Sequence, residues 1–274
     1  SAASDVYKRQ YMENIMVSIN GLQNGSTATT VANALGLVSD FEIDVGGIPQ
    51  VRASLTDMYA MNMLWMQHNP LTKISGGDNQ EWIVNSIIYP TWFPPSRAEA
   101  TCTATYAAVT NADNTEISIT ANYLDGIPRN QALYYNAFSE NTSGVDSTSF
   151  GNWSQTTNLV GNMTGCLLFS TTIPGGSTLM EDGTIQQVRI QANGNTLLAY
   201  EWNEIQDTGI FNGQMFNSLE ESPANTSILD NYRWISLAKE PIPAGARVQM
   251  DVMAGVTSEE IRSIQVQQVP FRGR

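Results

Sequence analysis

The sequence predicts an all-β protein built from two consecutive domains of one plan, each with a short helix, and three observations carry that prediction. First, Phe41, Ile43 and Val45 alternate with Glu42 and Asp44, the period of a strand with one face buried, before Gly46-Gly47 turns the chain. Second, the plan recurs. Val188, Ile190 and Ala192 alternate with Arg189 and Gln191, and Asn193-Gly194 supplies a two-residue hairpin turn that tolerates positive φ. The turn glycines, Gly47 and Gly194, stand 147 positions apart. Third, two later stretches keep nearly that spacing. A proline-containing entry at 93–98 leads into Ala100, Cys102, Ala104 and Tyr106, and one at 241–246 leads into Val248, Met250, Val252 and Ala254, 148 positions on. Ile117 and Ile119 are answered by Ile264 and Val266, again at 147. Pattern repeated in one order at one spacing is the mark of a duplicated unit.

Taken in order, residues 1–13 read as an artefactual or disordered leader, because residues 1–10, SAASDVYKRQ, resemble translated read-through of a sequencing adapter. Residues 14–124 form the first domain, 125–164 a linker with an exposed loop, 165–269 the second domain and 270–274 a C-terminal tail. The run from Asn14 ends at Asn24-Gly25 and reads as strand and turn, with its partner at 165–176. The stretch 26–38, rich in Ser, Thr and Ala, reads as a connection. After the first hairpin, Ser54 and Asp57, three apart, form a capping box that starts a helix. Met58, Met61, Met63, Leu64, Trp65 and Met66 put apolar groups on more than one face of that helix, so it is wedged between surfaces, with Met as core filler ahead of a partner surface or pocket. Pro70 stops it. In the second copy Leu197 to Tyr200 return from the turn and 201–205 makes the short helix. Strands follow at 82–89, after the Gly76-Gly77-Asp78 turn, and at 116–123, after the turn at 111–114. The long stretches 125–161 and 206–231 lack periodicity and read as exposed loops.

Composition narrows the function. Of 274 residues, 42% are hydrophobic and only 14% charged, and the net charge is −13. Thirteen scattered basic residues cannot neutralise a phosphate backbone, so direct nucleic-acid binding is not expected. No run reaches the ~18 apolar residues of a membrane-spanning helix. Cys102 and Cys166 show neither metal-knuckle nor disulfide spacing and read as two buried small apolar residues. Five Asn-x-Ser/Thr triplets, at Asn24, Asn141, Asn152, Asn162 and Asn225, read as loop composition.

No catalytic, cofactor-binding or metal residue is expected. His68 is the one histidine and has no second to build a triad or zinc site. Glu220-Glu221 and Glu259-Glu260 are adjacent and so point apart, and Asp40, Asp44 and Asp182 lack calcium-loop spacing. There is no Gly-x-Ser-x-Gly, His-Glu-x-x-His or Cys-x-x-Cys motif.

The order of these elements resembles the double jelly-roll major capsid proteins of tailless icosahedral viruses with internal membranes. The resemblance spans residues 14–269. It is carried by FEIDVGGIPQVRASLTDMY with its echo VRIQANGNTLLAYEWNEI, and by PPSRAEATCTATY with its echo PIPAGARVQMDVMAG. It implies two consecutive eight-stranded jelly rolls and a non-enzymatic structural protein of the virion capsid, without cofactors. It also implies a homotrimer forming a pseudo-hexameric capsomer, with partners in neighbouring capsomers, minor capsid or penton proteins and an internal membrane. The basic tail seen in some shells is reduced here to Arg272-Gly273-Arg274. Two other classes compete: a paired jelly-roll enzyme resembling peptide N-glycosidase, and a carbohydrate-binding or spike module using Trp92, Trp153 and Trp202. Deleting residues 1–10 is expected to leave the midpoint of thermal unfolding unchanged; a marked fall would show that they belong to the folded protein.

Overall fold

Antiparallel pairing with one buried face organises each half of the chain in the computed structural model, which describes residues 11–25, 29–45, 48–74, 77–93, 100–124, 134–144, 153–170, 185–202, 204–205, 228–253 and 260–270. The chain divides into two compact units, the first comprising Ser1–Phe138, Glu220–Thr226 and Pro270–Arg274 and the second Ser139–Leu219 and Ser227–Val269.

In the first unit β1 (Tyr11–Gln23), β2 (Val38–Val45), β3 (Ile48–Ala53), β4 (Thr72–Lys73), β5 (Glu81–Phe93), β6 (Ala100–Tyr106) and β7 (Ala112–Leu124) follow one another. One sheet has the order β4-β5-β1-β7, and the other contains β3-β2-β6. Burial along β1 alternates as its sequence does, with Ile15, Val17 and Ile19 fully buried. The two sheets meet through Phe41 of β2 and Tyr89 of β5, whose rings lie 4.6 Å apart and tilted by 46°. Tyr89 stands opposite Ile15 in register, so Ile15, Val17 and Ile19 line the inner face. Burial, with the nearby carboxylates of Asp57 and Asp40, pushes the Tyr89 phenol well above its ordinary pKa.

Two helices support this unit. α1 (Val31–Leu35) is capped by Thr30, whose hydroxyl accepts from the Asn33 N–H at 3.1 Å, and buries Val31, Ala34 and Leu35. The sequence reads this stretch as a connection, because five residues are too few to show a helical period. α2 (Leu55–Leu64) begins as predicted: Ser54 Oγ accepts from the Asp57 N–H at 3.0 Å and donates to Asp57 Oδ2 at 2.7 Å. Leu55, Met58, Tyr59, Met61 and Leu64 are all buried, which is the wedged helix expected. Its Asn62 is buried too. The Asn62 amide donates to Met58 O at 2.7 Å and Ile88 O at 2.9 Å and accepts from Ile88 N at 2.9 Å, satisfying backbone groups of β5 beyond the reach of the two-residue β4.

The second unit takes in β8 (Tyr134–Gly144) from Ser139 onward, with β9 (Trp153–Asn158), β10 (Asn162–Ser170), β11 (Gln187–Ala192), β12 (Asn195–Glu201), β13 (Tyr232–Ser236), β14 (Arg247–Met253) and β15 (Glu260–Pro270). The strands wind as β13-β10-β15-β8 in one sheet and β12-β11-β14-β9 in the other. Counting from β8, that is sixth-third-eighth-first against fifth-fourth-seventh-second, the jelly-roll wind. Its core contains Cys166 and Leu168 of β10, Val188 and Ile190 of β11, Val248, Met250 and Val252 of β14, and Ile261 of β15. The β11–β12 hairpin turns at Asn193 and Gly194 with φ of 50° and 84°, as the sequence requires. Trp202 and Ile205, just past β12, are buried in the same core.

The two units share strand order. β1, β2, β3, β5, β6 and β7 occupy the places of β10, β11, β12, β13, β14 and β15. Two expectations need correction. β8 and β9 lie in the stretch 125–164 that reads as a linker, so the second unit has eight strands, while the described residues of the first give six long strands and β4. The last pairing of the repeat is also shifted. β10's core residues Cys166 and Leu168 stand opposite Gln265 and Ser263, so Ile264 and Val266 face away from that core, whereas Ile117 and Ile119 stand opposite the inner-facing Ile19 and Val17.

In the second unit's central strand, Gly165 lies flat against the Trp234 indole, and a Cβ there would overlap the ring and approach Ile235 O to 2.9 Å. Gly165→Ala is therefore expected to destabilise the protein by about 1–3 kcal/mol, read from denaturant unfolding. An unchanged midpoint would show that the ring relaxes freely.

Candidate functional surfaces

Polar side chains in the described residues brace the fold and do not converge. Among them no group of three His, Cys, Asp or Glu residues could hold a metal ion. His68 is half-buried, and its Nε2 donates to Ser86 O at 2.9 Å. Ser86 has a φ of 62° where β5 bulges between Val84 and Ile87, so the ring holds an irregular strand in place. Asp40 pairs with Arg52 at 3.4 Å, a partly exposed contact worth little. Asp182, Glu220, Glu221 and Glu259 lie outside the described residues, as does the side chain of Glu260.

The strongest ionic contact is structural. Arg189 and Asp251 stand opposite each other on β11 and β14, on the face away from Val188 and Val252. Arg189 donates to Asp251 Oδ2 from Nη2 at 2.8 Å and from Nε at 3.2 Å, while Gln249 Nε2 donates to Oδ1 at 2.9 Å. Both oxygens of this fully buried carboxylate are engaged, so it ties the two strands together. Gln267 plays a similar part. Its Oε1 accepts from Val160 N at 3.1 Å and Gly161 N at 3.2 Å, fixing the turn from β9 into β10.

The thiols differ. Cys166 lies in the core, and burial pushes its pKa up to about 12. Cys102, expected buried, is exposed on β6, with what desolvation it has raising its thiol above the ordinary value. Trp202, expected as an exposed carbohydrate platform, is buried, with the Arg233 guanidinium 4.6 Å from its ring centroid. The side chains of Trp92 and Trp153 lie outside the described residues.

Within the second unit an open cleft of about 490 Å³ is lined by Leu197, Leu198, Tyr200, Leu237, Ile242 and neighbouring residues. Its walls are mainly apolar, with Lys239 and Glu240 at one side. Among the described residues no helix is long and apolar enough to cross a membrane.

No protein-family model matches the sequence, and no curated protein matches it. Solved structures do match. The crystal structure of the STIV MCP superposes with a TM-score of 0.71 at 12% identity, covering 94% of this chain and 88% of that one. The atomic structure of Sulfolobus Turreted Icosahedral Virus gives 0.69 at 13% identity, covering 96% and 84%. The major capsid protein from Bacteriophage PM2 gives 0.62 at 10% identity, covering 96% and 89%. At such identities the likeness is one of architecture: this chain has the double jelly-roll fold found in viral major capsid proteins.

Proposed function

We propose that this protein is the major capsid protein of an icosahedral virus, assembling as a homotrimeric, pseudo-hexagonal capsomer and residing in the virion shell. The observation that carries the reading is the likeness to capsid proteins over 94% of the chain, across both jelly rolls. A physical argument supports it. A chain with two units of one strand plan gives a three-fold ring six similar sides, which is what hexagonal packing asks of each tile. With 14% charged residues, broad β faces can meet without stripping water from many ions. In this reading residues 14–124 and 165–269 carry the bodies of the two jelly rolls, and β8 and β9 join the second.

The partners are other copies and neighbouring capsomers, with minor capsid or penton proteins and an internal membrane as further contacts. A net charge of −13 makes direct nucleic-acid binding unfavourable. The protein acts without catalysis and without a cofactor. The carbohydrate-binding reading loses one of its three aromatic residues, since Trp202 is in the core.

Size-exclusion chromatography with light scattering tests the assembly. The expected mass is three times the chain's 30.0 kDa. Leu71, Val160 and Leu197 are exposed apolar residues, and Lys placed at each in turn is expected to yield folded monomer wherever the residue lies in a subunit contact, because burying an unpaired ammonium costs several kcal/mol. A wild-type protein that stays monomeric at high concentration would overturn the capsid reading.

A further inference from the structure

The second unit provides an internal standard for the first. Its β15 is flanked on the far side by β8 and its β14 by β9. The equivalent strands of the first unit, β7 and β6, end their sheets among the described residues. The difference reaches the core.

In an antiparallel pair, directly opposite residues share a face. Cys102 and Ala104 stand opposite Ile43 and Phe41, and Ile119 and Ala121 stand opposite Val17 and Ile15. All four should therefore point inward with their partners. Ile43, Phe41, Val17 and Ile15 are fully buried, yet Cys102 and Ala121 are exposed, Ile119 is 41% exposed and Tyr106, at the end of the same β6 face, is 59% exposed. The matching places in the second unit are dry: Met250 and Val252, opposite Ile190 and Val188, and Gln265 and Ser263, opposite Cys166 and Leu168, are exposed by no more than 1%. The first core is thus open along the side where β6 turns into β7.

We propose that residues 1–10 are not native and that the natural chain carries, immediately before β1, two further strands, one pairing with the free edge of β7 and one with the free edge of β6, and that these close the first unit's core. The opening has an edge in each sheet, so its occupant must supply a strand to each and a connection between them. β8 and β9 do this in the second unit and lead directly into β10, which is the place β1 holds in the first. The occupant therefore enters immediately before β1 in the chain. By analogy with residues 134–161, it needs on the order of 30 residues, two strands of ordinary length and their turn. Its inward positions will be apolar, to match Ile117, Ile119 and Cys102. An uncovered apolar edge of this kind would otherwise invite another chain to pair with it.

The inference rests on strand order and burial and stands apart from the capsid proposal, because it is read on a single chain. The test is to sequence the source template upstream of the Tyr11 codon, express the protein with that natural extension, and follow maleimide labelling of Cys102 with and without it. Cys166 serves as the internal control, since its buried thiol stays silent until the protein unfolds. The proposal expects an open frame with two strand-patterned stretches, and Cys102 labelling slowed by at least about tenfold in the extended protein, since reaction then requires local opening. If the shorter chain does not fold, the extended protein decides alone, and its Cys102 must be as silent as Cys166 before denaturation. A frame that closes within a few residues of Tyr11, or Cys102 labelling equally fast in both proteins, would overturn it. Protection of Cys102 that grows with the concentration of the unextended chain would also overturn it, by showing that a second copy covers the edge.

Discussion

A β-sandwich excludes water only as far as both of its sheets reach, and that constraint governs most of what this chain does. In the second unit four strands face four, and Val188, Ile190, Met250 and Val252 lie in a closed core. In the first unit the same strand plan, among the described residues, stops one place short in each sheet, and inward-pointing residues of β6 and β7 meet solvent. In both units a glycine, Gly21 or Gly165, gives up its side chain so that an indole, Trp82 or Trp234, can lie against the backbone.

Much of this plan was legible because it depends on local rules. The Asn193-Gly194 turn and the Ser54–Asp57 cap each require particular residues at particular spacings, and alternation placed β1, β2, β5, β7 and β11. What was missed depends on context. β8 and β9, reading YYNAFSENTSG and WSQTTN, are polar enough to pass for loop, and only their pairing makes them strands. β15 misled the repeat by one face: it is buried on both sides, and the residues turned to its own core are Ser263 and Gln265, held among polar partners such as Thr157, while the more apolar Ile264 and Val266 face the other way. Cys102 shows the converse. The alternation of ATCTATY correctly sets its direction, but a sequence cannot say whether the strand that should cover it is present.

Among the described residues, polar side chains singled out in the sequence serve the fold. His68 steadies a bulge, Asp251 is saturated by Arg189 and Gln249, and Gln267 ties down a turn. In each case the polar group is placed by the demands of backbone and burial. Such side chains agree with the proposed shell-forming role, in which repetition within the chain prepares repetition between chains.

Electron microscopy of the purified protein tests the central claim most directly. Class averages seen down the assembly axis are predicted to show three copies with a pseudo-six-fold outline, one lobe for each jelly roll. Averages showing only isolated two-lobed particles across all concentrations would contradict the account.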